Sequence, residues 1–274
     1  MVTAIYQKLS RAWGPQNWWP AQTPFEVIIG AILTQNTSWT NVERVLASLR
    51  TANALDIDSM RRLPNVQLEQ LVRSSGYFRQ KARRLKSFVA FLDARYSGSL
   101  EAMCATPTLQ LREQLLELNG IGPETADSIL LYAGHHPIFV VDAYTRRVLE
   151  RHDVIKPDAK YDEIRSLVEQ SLRSQAAQRI RDASGLDPAR PSIHAPSSMS
   201  SAPRQPLAQV YNEMHGLFVQ LGKHYCSARD PKCEICPLGP MLIHRPKSDS
   251  NAGTRRRPAR KIVQVRKKPT KSKL

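Results

Sequence analysis

A glycine-rich turn constrains the fold of this chain more than any other feature of the sequence. Residues 118–126 read Leu-Asn-Gly-Ile-Gly-Pro-Glu-Thr-Ala. Glycine adopts positive φ without a steric penalty, so Gly120 and Gly122 allow a tight bend that exposes backbone N–H groups. Pro123 suits the first position of a following helix, whose free N–H groups and dipole attract anions. The segment predicts a hairpin between two helices that is built to hold a phosphate.

Helical periodicity over almost the whole chain predicts an all-α fold. Residues 23–26 read Thr-Pro-Phe-Glu, which combines a helix cap, a proline at the first helical position and a glutamate at the third. The apolar run that follows predicts a deeply buried helix. Strand signals are nearly absent: the apolar residues 138–141 are better interpreted as the lead-in to a helix capped by Asp142. Helical spacing of apolar residues recurs at positions 42–49, 85–92, 111–118 and 207–218.

The charge of the chain predicts a polyanionic partner. The sequence has 274 residues, with 40 Lys and Arg against 24 Asp and Glu, which gives a formal net charge of +16. Residues 245–274 hold twelve of the basic side chains and one Asp, and we expect them to form a disordered basic tail that adds non-specific affinity for nucleic acid.

Two further segments bear on organisation and location. Residues 176–206 are dominated by Ser, Pro, Ala and Arg without a recurring apolar face, which predicts a flexible insertion. No stretch approaches the roughly 18 apolar residues of a membrane span, and residues 1–13 lack the apolar core of a signal peptide. We therefore expect a cytoplasmic protein.

Several motifs, in a fixed order, resemble the helix-hairpin-helix DNA glycosylases of the endonuclease III superfamily. The resemblance covers roughly residues 17–240 without the insertion. Three segments look most like bacterial 3-methyladenine DNA glycosylase III, whose relatives excise alkylated purines. The motifs are Trp18-Trp19-Pro20, Leu33 to Thr37, Gly76 to Ala82, the glycine turn, Val140-Val141-Asp142 and a cysteine loop that begins at Cys226.

The resemblance implies a two-lobed, all-α glycosylase fold. One lobe would consist of residues 1–24 and 143–225, and the other, residues 25–142, would carry the hairpin. A cysteine loop would occupy residues 226–244, followed by the basic tail at 245–274. The implied protein is a bacterial, nucleoid-associated monomer that acts on double-stranded DNA with a damaged base, most simply an alkylated purine.

Asp142 is the candidate catalytic residue. Cleavage of an N-glycosidic bond passes through an oxocarbenium-like sugar, which a fixed carboxylate beside C1′ would stabilise. The resemblance places the family's catalytic aspartate at this residue, whereas an arbitrary aspartate in this setting would only cap a helix. Both roles can coexist, because a cap side chain projects from the start of its helix.

Glu124 takes the position at which bifunctional relatives carry a lysine nucleophile. A carboxylate cannot form an imine, so we expect a monofunctional enzyme that uses water and leaves an abasic site. Lys81 or Lys223 could supply an amine instead. The rival functions are a bifunctional glycosylase and lyase for oxidised pyrimidines, and a catalytically silent DNA-binding protein.

The resemblance also assigns residues that would touch DNA. Gln35 lies where endonuclease III relatives insert a glutamine into the duplex, although it could instead be a helix cap. Trp18 and Trp19 could form the walls of a pocket for an everted base, or they could be ordinary core residues; the two alternatives are about even on the residues alone, and the resemblance to the methyladenine enzyme favours the pocket for Trp19 or its neighbour. Hairpin residues would position one phosphate without reading sequence. They are Gly120, Ile121, Gly122, Glu124 and Thr125.

Cys226, Cys233 and Cys236 reproduce three of the four ligands of the family's iron-sulfur loop. Leu242 stands where the fourth cysteine would be, and a [4Fe–4S] cluster normally binds four thiolates. The three could still hold a cluster with water, His244 or Cys104 on the last iron. They could also bind zinc with His224 or His244, or bind no metal at all.

Overall fold

The structure, a computed structural model, describes residues 1–182 and 194–243. Within these residues the chain forms helices and turns and no strand, which confirms the all-α prediction. No helix in this part of the chain is long and apolar enough to cross a membrane. The α-helices are α1 Val2–Trp13, α2 Pro24–Leu33, α3 Trp39–Thr51, α4 Ile57–Arg62, α5 Asn65–Leu71, α6 Phe78–Tyr96, α7 Leu100–Cys104, α8 Thr108–Leu116, α9 Pro123–Ser128, α10 Ala143–Arg151, α11 Tyr161–Asp182, α12 Ser198–Ser201 and α13 Pro206–His224.

Three shorter helical turns complete the described part of the chain. A π-helical turn at Ile129–Ala133 continues α9, and 3₁₀ turns lie at Arg73–Ser75 and Gly239–Met241. The π turn is buried along its whole length. It contacts α2, α8 and α9 on one side and α13 on the other, so it links the helices around the hairpin to those of the C-terminal half.

Helix α2 forms the centre of the N-terminal half, as its apolar run predicts. Its first turn is capped by Thr23, whose hydroxyl accepts a hydrogen bond from the Glu26 N–H at 3.1 Å. The Glu26 carboxylate in turn accepts from the Gln22 N–H at 2.9 Å and pairs with Arg50. Every residue from Phe25 to Leu33 is buried. The local cap therefore fixes where the most buried helix of this half begins.

Helix α13 is likewise the central helix of the C-terminal half. It contacts α1, α10, α11 and the π turn. Its buried face includes polar side chains among the apolar ones, notably Asn212, Glu213 and His215. The assignment of these helix groups to separate lobes, with boundaries at residues 24 and 142, stays a prediction.

Both ends of the segment 176–206 belong to the described structure, while its expected flexibility stays a prediction. Helix α11 continues through residue 182. From residue 194 onward, the His194 carbonyl accepts a hydrogen bond from Asn17 Nδ2 at 3.0 Å, and Ser197 caps α12. Met199 is buried, and its N–H donates to the Ala21 carbonyl. The polar composition of this segment does not indicate these contacts, because their partners lie in the N-terminal segment, far away in the sequence. Residues 183–193, His244 and the basic tail lie outside the described residues.

Candidate active site

The glycine turn joins α8 to α9, as the sequence predicts. Gly120 has a φ of +84°, the left-handed conformation that favours glycine. Gly122 is the N-cap of α9, and Pro123 is at the first position of that helix. The N–H of Ile121 donates to the Leu118 carbonyl at 3.0 Å, and its side chain is buried. Gly122, by contrast, is exposed with open space around its Cα, so the outer face of the bend is accessible.

Gln35 links the end of α2 to this bend. Its Nε2 donates to the Gly120 carbonyl and to Thr125 Oγ1, both at 2.8 Å, while its Oε1 accepts from the Arg84 guanidinium. The helix cap is the preceding residue, Thr34, whose N–H and hydroxyl both donate to the Gly30 carbonyl. Insertion of Gln35 into a duplex remains a prediction, and it would require these bonds to the hairpin to break.

Asp142 caps α10 and is largely enclosed. Its Oδ1 accepts a hydrogen bond from the Thr145 N–H at 2.7 Å, and its side chain is 13% exposed. The buried residues 138–141 lead the chain into this position, as expected. Burial alone would raise the pKa of the carboxyl, but the charge and hydrogen bond of His215, together with Thr145, outweigh it and hold the pKa below its usual value. The carboxylate is therefore anionic at neutral pH.

His215 and Tyr132 extend the Asp142 site inward. The Nε2 of His215, on α13, lies 3.5 Å from Asp142 Oδ2, which is longer than a typical hydrogen bond. On the other side of the ring, Nδ1 lies 2.5 Å from the hydroxyl of Tyr132, in the π turn. Asp142, His215 and Tyr132 thus form a chain of polar groups inside an otherwise apolar region.

Glu124 connects the hairpin helix to this chain electrostatically. Crowding by protein atoms raises the pKa of its carboxyl, the negative charge of Asp142 raises it further, and His215 opposes this. More than a third of the residue is open to solvent, so water screens these effects. The cap of α10 and the start of α9 nevertheless lie close enough for the charge of Asp142 to act on Glu124.

Lys81 and Lys223, the alternative amines, have different settings. Lys81 is 1% exposed, and its Nζ donates to the carbonyls of Leu33 and Ser75 at 2.8 and 2.6 Å. Burial, with a contribution from Arg84, lowers its pKa to about 8. Its amine therefore links the last residue of α2 to the last residue of the 3₁₀ turn Arg73–Ser75 and has no access to solvent. Lys223 is an exposed residue near the end of α13.

Trp18 and Trp19 occupy different surroundings although both are buried, with 6% and 5% exposed. Trp19 packs closely on Gly30 of α2, and its ring centroid lies 5.1 Å from that of Tyr132 and 5.0 Å from that of Trp39. This position belongs to the core.

Trp18 lines a small cavity of about 50 Å³. Its ring centroid is 5.6 Å from that of His194 and 6.3 Å from that of His215, so the indole lies between the cavity and the Asp142 site. Both tryptophans belong to the buried core, and Trp18 is the one that also lines this cavity; a base-binding role for either stays a prediction. The other residues lining the cavity are Gln16, His194, Gly216, Val219, Gln220, Lys223 and His224.

The cysteine loop is held by two arginines of α10. Arg147 Nε donates to the Cys226 carbonyl at 2.6 Å, and Arg151 donates to the Cys226 Sγ at 3.2 Å and to the carbonyls of Ser227 and Ala228. Cys226 is buried, and Cys233 and Cys236 are half-buried. Burial raises the pKa of Cys236, and the two other thiols raise it further.

These residues do not fit a four-thiolate cluster. Leu242, half-buried, stands at the fourth ligand position, and Cys104 lies elsewhere, with its Sγ 4.0 Å from the Ala133 carbonyl and its pKa raised by burial to about 11. Across residues 1–182 and 194–243, no three His, Cys, Asp or Glu side chains are arranged to hold a metal ion. The three-cysteine and zinc alternatives that invoke His244 fall outside the described residues.

Sequence reasoning passed over three residues of this region. His215 and Tyr132 stand in apolar helical segments, and no local motif singles either of them out. Tyr77, 66% exposed with a φ of +47°, is the N-cap of α6, the helix that also carries Arg84, whose guanidinium donates to Gln35. An aromatic residue directly after Gly76 was the available signal for that position.

Comparison with known proteins gives a consistent result. Residues 29–174 match the model of the HhH-GPD superfamily base excision DNA repair proteins. A candidate DNA repair glycosylase of Methanocaldococcus jannaschii is 39% identical over 247 residues, which cover 89% of this chain and 97% of that protein. Endonuclease III of Thermotoga maritima is 23% identical, over 78% of this chain and 80% of its own length.

Solved structures show the same fold. The 3-methyladenine DNA glycosylase MagIII of H. pylori, bound to 1,N6-ethenoadenine, superposes with a TM-score of 0.63 at 28% identity, covering 81% of this chain and 97% of that protein. A trapped covalent complex of endonuclease III with DNA gives a TM-score of 0.64 at 20% identity, over 89% and 96% of the two chains.

Proposed function

Because the chain belongs to the HhH-GPD superfamily and is a base excision repair DNA glycosylase, we propose that it removes an alkylated purine by hydrolysis and leaves the DNA strand intact. The observation that carries this proposal is the enclosed Asp142 carboxylate, whose charge acts on Glu124 at the start of the hairpin helix, the position at which bifunctional relatives carry a lysine nucleophile. Double-stranded DNA is the proposed partner.

Asp142 supplies the charge that hydrolysis requires. As the base departs, positive charge develops on the sugar, and a preorganised anion in a dry site stabilises that charge more than water does. The Thr145 N–H fixes one carboxylate oxygen at 2.7 Å, which leaves the other directed toward His215 and the interior of the site. The lowered pKa of Asp142 keeps this group ionised over the neutral range.

Two observations support a monofunctional reaction. Glu124 has no amine with which to form a Schiff base. Lys81 has both an amine and a lowered pKa, but its Nζ is fixed to two backbone carbonyls within the core. Water is therefore the nucleophile of the proposed mechanism, and the product is an abasic site.

The preference for an alkylated purine rests on an aromatic surface and on one relative. Trp18 presents an indole to a small cavity, its ring centroid lies 6.3 Å from that of His215, and electron-poor alkylated bases stack well on indole faces. The H. pylori relative, at 28% identity, was solved with 1,N6-ethenoadenine, a modified purine base. The pocket of this chain would receive a base that has been everted from the duplex.

Binding to the duplex would use the hairpin and the adjacent end of α6. The open face of Gly122 lets a phosphate approach the backbone. Arg79 and Arg83 are exposed on the first turns of α6, near the exposed ring of Tyr77. Because these charges contact phosphates and not base edges, affinity should fall steeply as salt is raised.

A panel of duplexes tests this function. Each carries one lesion, either 1,N6-ethenoadenine, 7-methylguanine or thymine glycol, and products are resolved with and without hot alkali. We expect cleavage of a purine-lesion duplex only after alkali. Nicking of thymine glycol without alkali, with a borohydride-trapped adduct, would establish the bifunctional rival. Binding without excision of any lesion would favour the silent DNA-binding protein.

The position of Glu124 can be tested in the same assay. We expect Glu124→Lys to produce a borohydride-trapped adduct with the lesion duplex that the wild-type protein cuts, because an amine would then face the anomeric carbon. Glu117→Lys is the matched control, since residue 117 is an exposed glutamate that precedes the bend. Equal trapping by both variants would contradict the placement of Glu124 beside the sugar.

A further inference from the structure

His215 occupies an unusual place for a titratable side chain. It projects from the buried face of α13 and is 4% exposed. Its two ring nitrogens contact different helical elements, with Nδ1 toward Tyr132 of the π turn and Nε2 toward Asp142 at the start of α10. The rings of Trp18 and Phe139 lie on its other sides, each with a centroid 6.3 Å from the imidazole.

Tyr132 determines where the imidazole carries its proton. Burial raises the pKa of the Tyr132 phenol well above its usual value, and the Asp142 charge adds to this, so the phenol remains protonated at all working pH values. A phenol can donate to Nδ1 or accept from it, but the anionic Asp142 carboxylate that faces Nε2 can only accept, so the neutral ring is more stable with its proton on Nε2 and with Nδ1 accepting from the Tyr132 hydroxyl. The proton of neutral His215 is then on Nε2, the nitrogen that faces Asp142.

We propose that His215 is the positioning residue of Asp142: Tyr132 fixes its tautomer, and its Nε2–H donates to the Asp142 carboxylate oxygen that the Thr145 N–H leaves free. This inference rests on the proposed function of Asp142. The separation of 3.5 Å shortens when DNA closes over the site, as hydrogen bonds in catalytic sites commonly do. His215 touches neither the base nor the sugar and acts through the carboxylate alone.

The other ionisable groups around the pair fix the expected pH behaviour. Glu124 on α9 and Tyr144 on α10 both sense the charge of Asp142, and Arg204, which precedes α13, acts on Tyr132. Glu124 adds negative charge near Asp142 and cannot substitute for a donor. Loss of the His215 donor must therefore raise the pKa of Asp142, because burial is then opposed by Thr145 only.

The expected consequence differs from that of a lost packing contact. His215→Leu keeps a buried side chain of similar volume without a donor. His215→Gln places an amide N–H near the position of Nε2. If His215 acts by donating, Gln restores what Leu removes; if it only fills space, the two variants behave alike. In Tyr132→Phe the pKa of Asp142 should lie between its values in the Leu and Gln variants, since the imidazole is retained while its tautomer is no longer fixed.

The first measurement does not depend on excision. Selective ¹³C and ¹⁵N labelling allows NMR to follow the titration of the Asp142 carboxyl and the proton on His215 in the free protein. We expect a proton on Nε2 in the wild type. In His215→Leu the titration midpoint of Asp142 should rise by about one pH unit or more, and His215→Gln should reverse part of that rise, because glutamine restores a donor but not a charge. A proton on Nδ1, or unchanged midpoints, would overturn the inference whether or not a lesion is found.

The second measurement follows single-turnover excision against pH, on the lesion that the wild type removes. The acid limb should move to higher pH in His215→Leu, and the plateau rate should fall about 10- to 100-fold, as for other residues that orient a functional group. His152→Leu is the control, because His152 is also only 4% exposed and lies at the opposite end of α10 from Asp142. If the acid limbs of the Leu and Gln variants lie at the same pH, a donor role is refuted. Thermal unfolding of each variant checks that it is folded.

Discussion

Gly120→Ala tests the structural account of the hairpin. The residue has a φ of +84°, and a Cβ at this position would overlap the Arg84 side chain. An alanine held in the left-handed region costs about 1–2 kcal/mol. Displacement of Arg84 would also break its bond to Gln35, a charged hydrogen bond on a half-buried site, which adds about 1–2 kcal/mol. The expected loss in the free energy of unfolding is therefore about 2–4 kcal/mol.

Gly122→Ala is the matched control for this substitution. Gly122 has a φ of −94°, and nothing lies within 4 Å of the Cβ that alanine would add. We expect it to cost less than about 1 kcal/mol, because the substitution is unstrained and only replaces a glycine N-cap by alanine. Urea unfolding followed by circular dichroism measures both variants. Equal stabilities would refute the argument that Gly120 is required by its backbone conformation and by the close approach of Arg84.

Two further predictions concern buried charge and the cysteine loop. The unfolded chain keeps the Lys81 proton up to a pH near 10.5 and the folded protein only to about 8, so stability should rise between these values, and Lys81→Met should flatten that rise in unfolding experiments. Arg151→Met should accelerate amide hydrogen exchange in residues 226–228, which its guanidinium holds. Arg146→Met removes a hydrogen bond to the Ala159 carbonyl instead, and it should leave hydrogen exchange in residues 226–228 unchanged.

Local signals in the sequence were sufficient for the elements that begin with a cap. Thr23 and Asp142 both cap the helices that they were expected to cap, and the glycine turn joins two helices as predicted. These features depend on residues within a few positions of one another. The helical periodicity needs no long-range information either, which is why the all-α fold could be predicted without the structure.

The inner part of the site could not be predicted because it is assembled from distant residues. Asp142, His215 and Tyr132 come from α10, α13 and the π turn, and no local pattern pairs a histidine with a carboxylate 73 positions away. The same holds for Arg84, which reaches both Gln35 and the space above Gly120. Core and pocket were equal alternatives for the two tryptophans, and only packing separates Trp19 on Gly30 from Trp18 beside the cavity.

The three cysteines illustrate a different limit. Their spacing matched three positions of a cluster-binding loop, yet the structure secures this loop with Arg147 and Arg151. Arginine bonds to backbone carbonyls can order a short loop without a metal, since each charged hydrogen bond contributes more than a neutral one. A spacing pattern alone does not distinguish the two arrangements.

Asp142→Asn tests the central claim most directly. Asparagine caps a helix about as well as aspartate, so the bond from the Thr145 N–H and the fold should persist while the negative charge is lost. We predict that single-turnover excision of the lesion that the wild type removes falls by at least about a hundredfold, with duplex affinity and thermal stability nearly unchanged. Excision at the wild-type rate by this folded variant would show that residue 142 is only a helix cap.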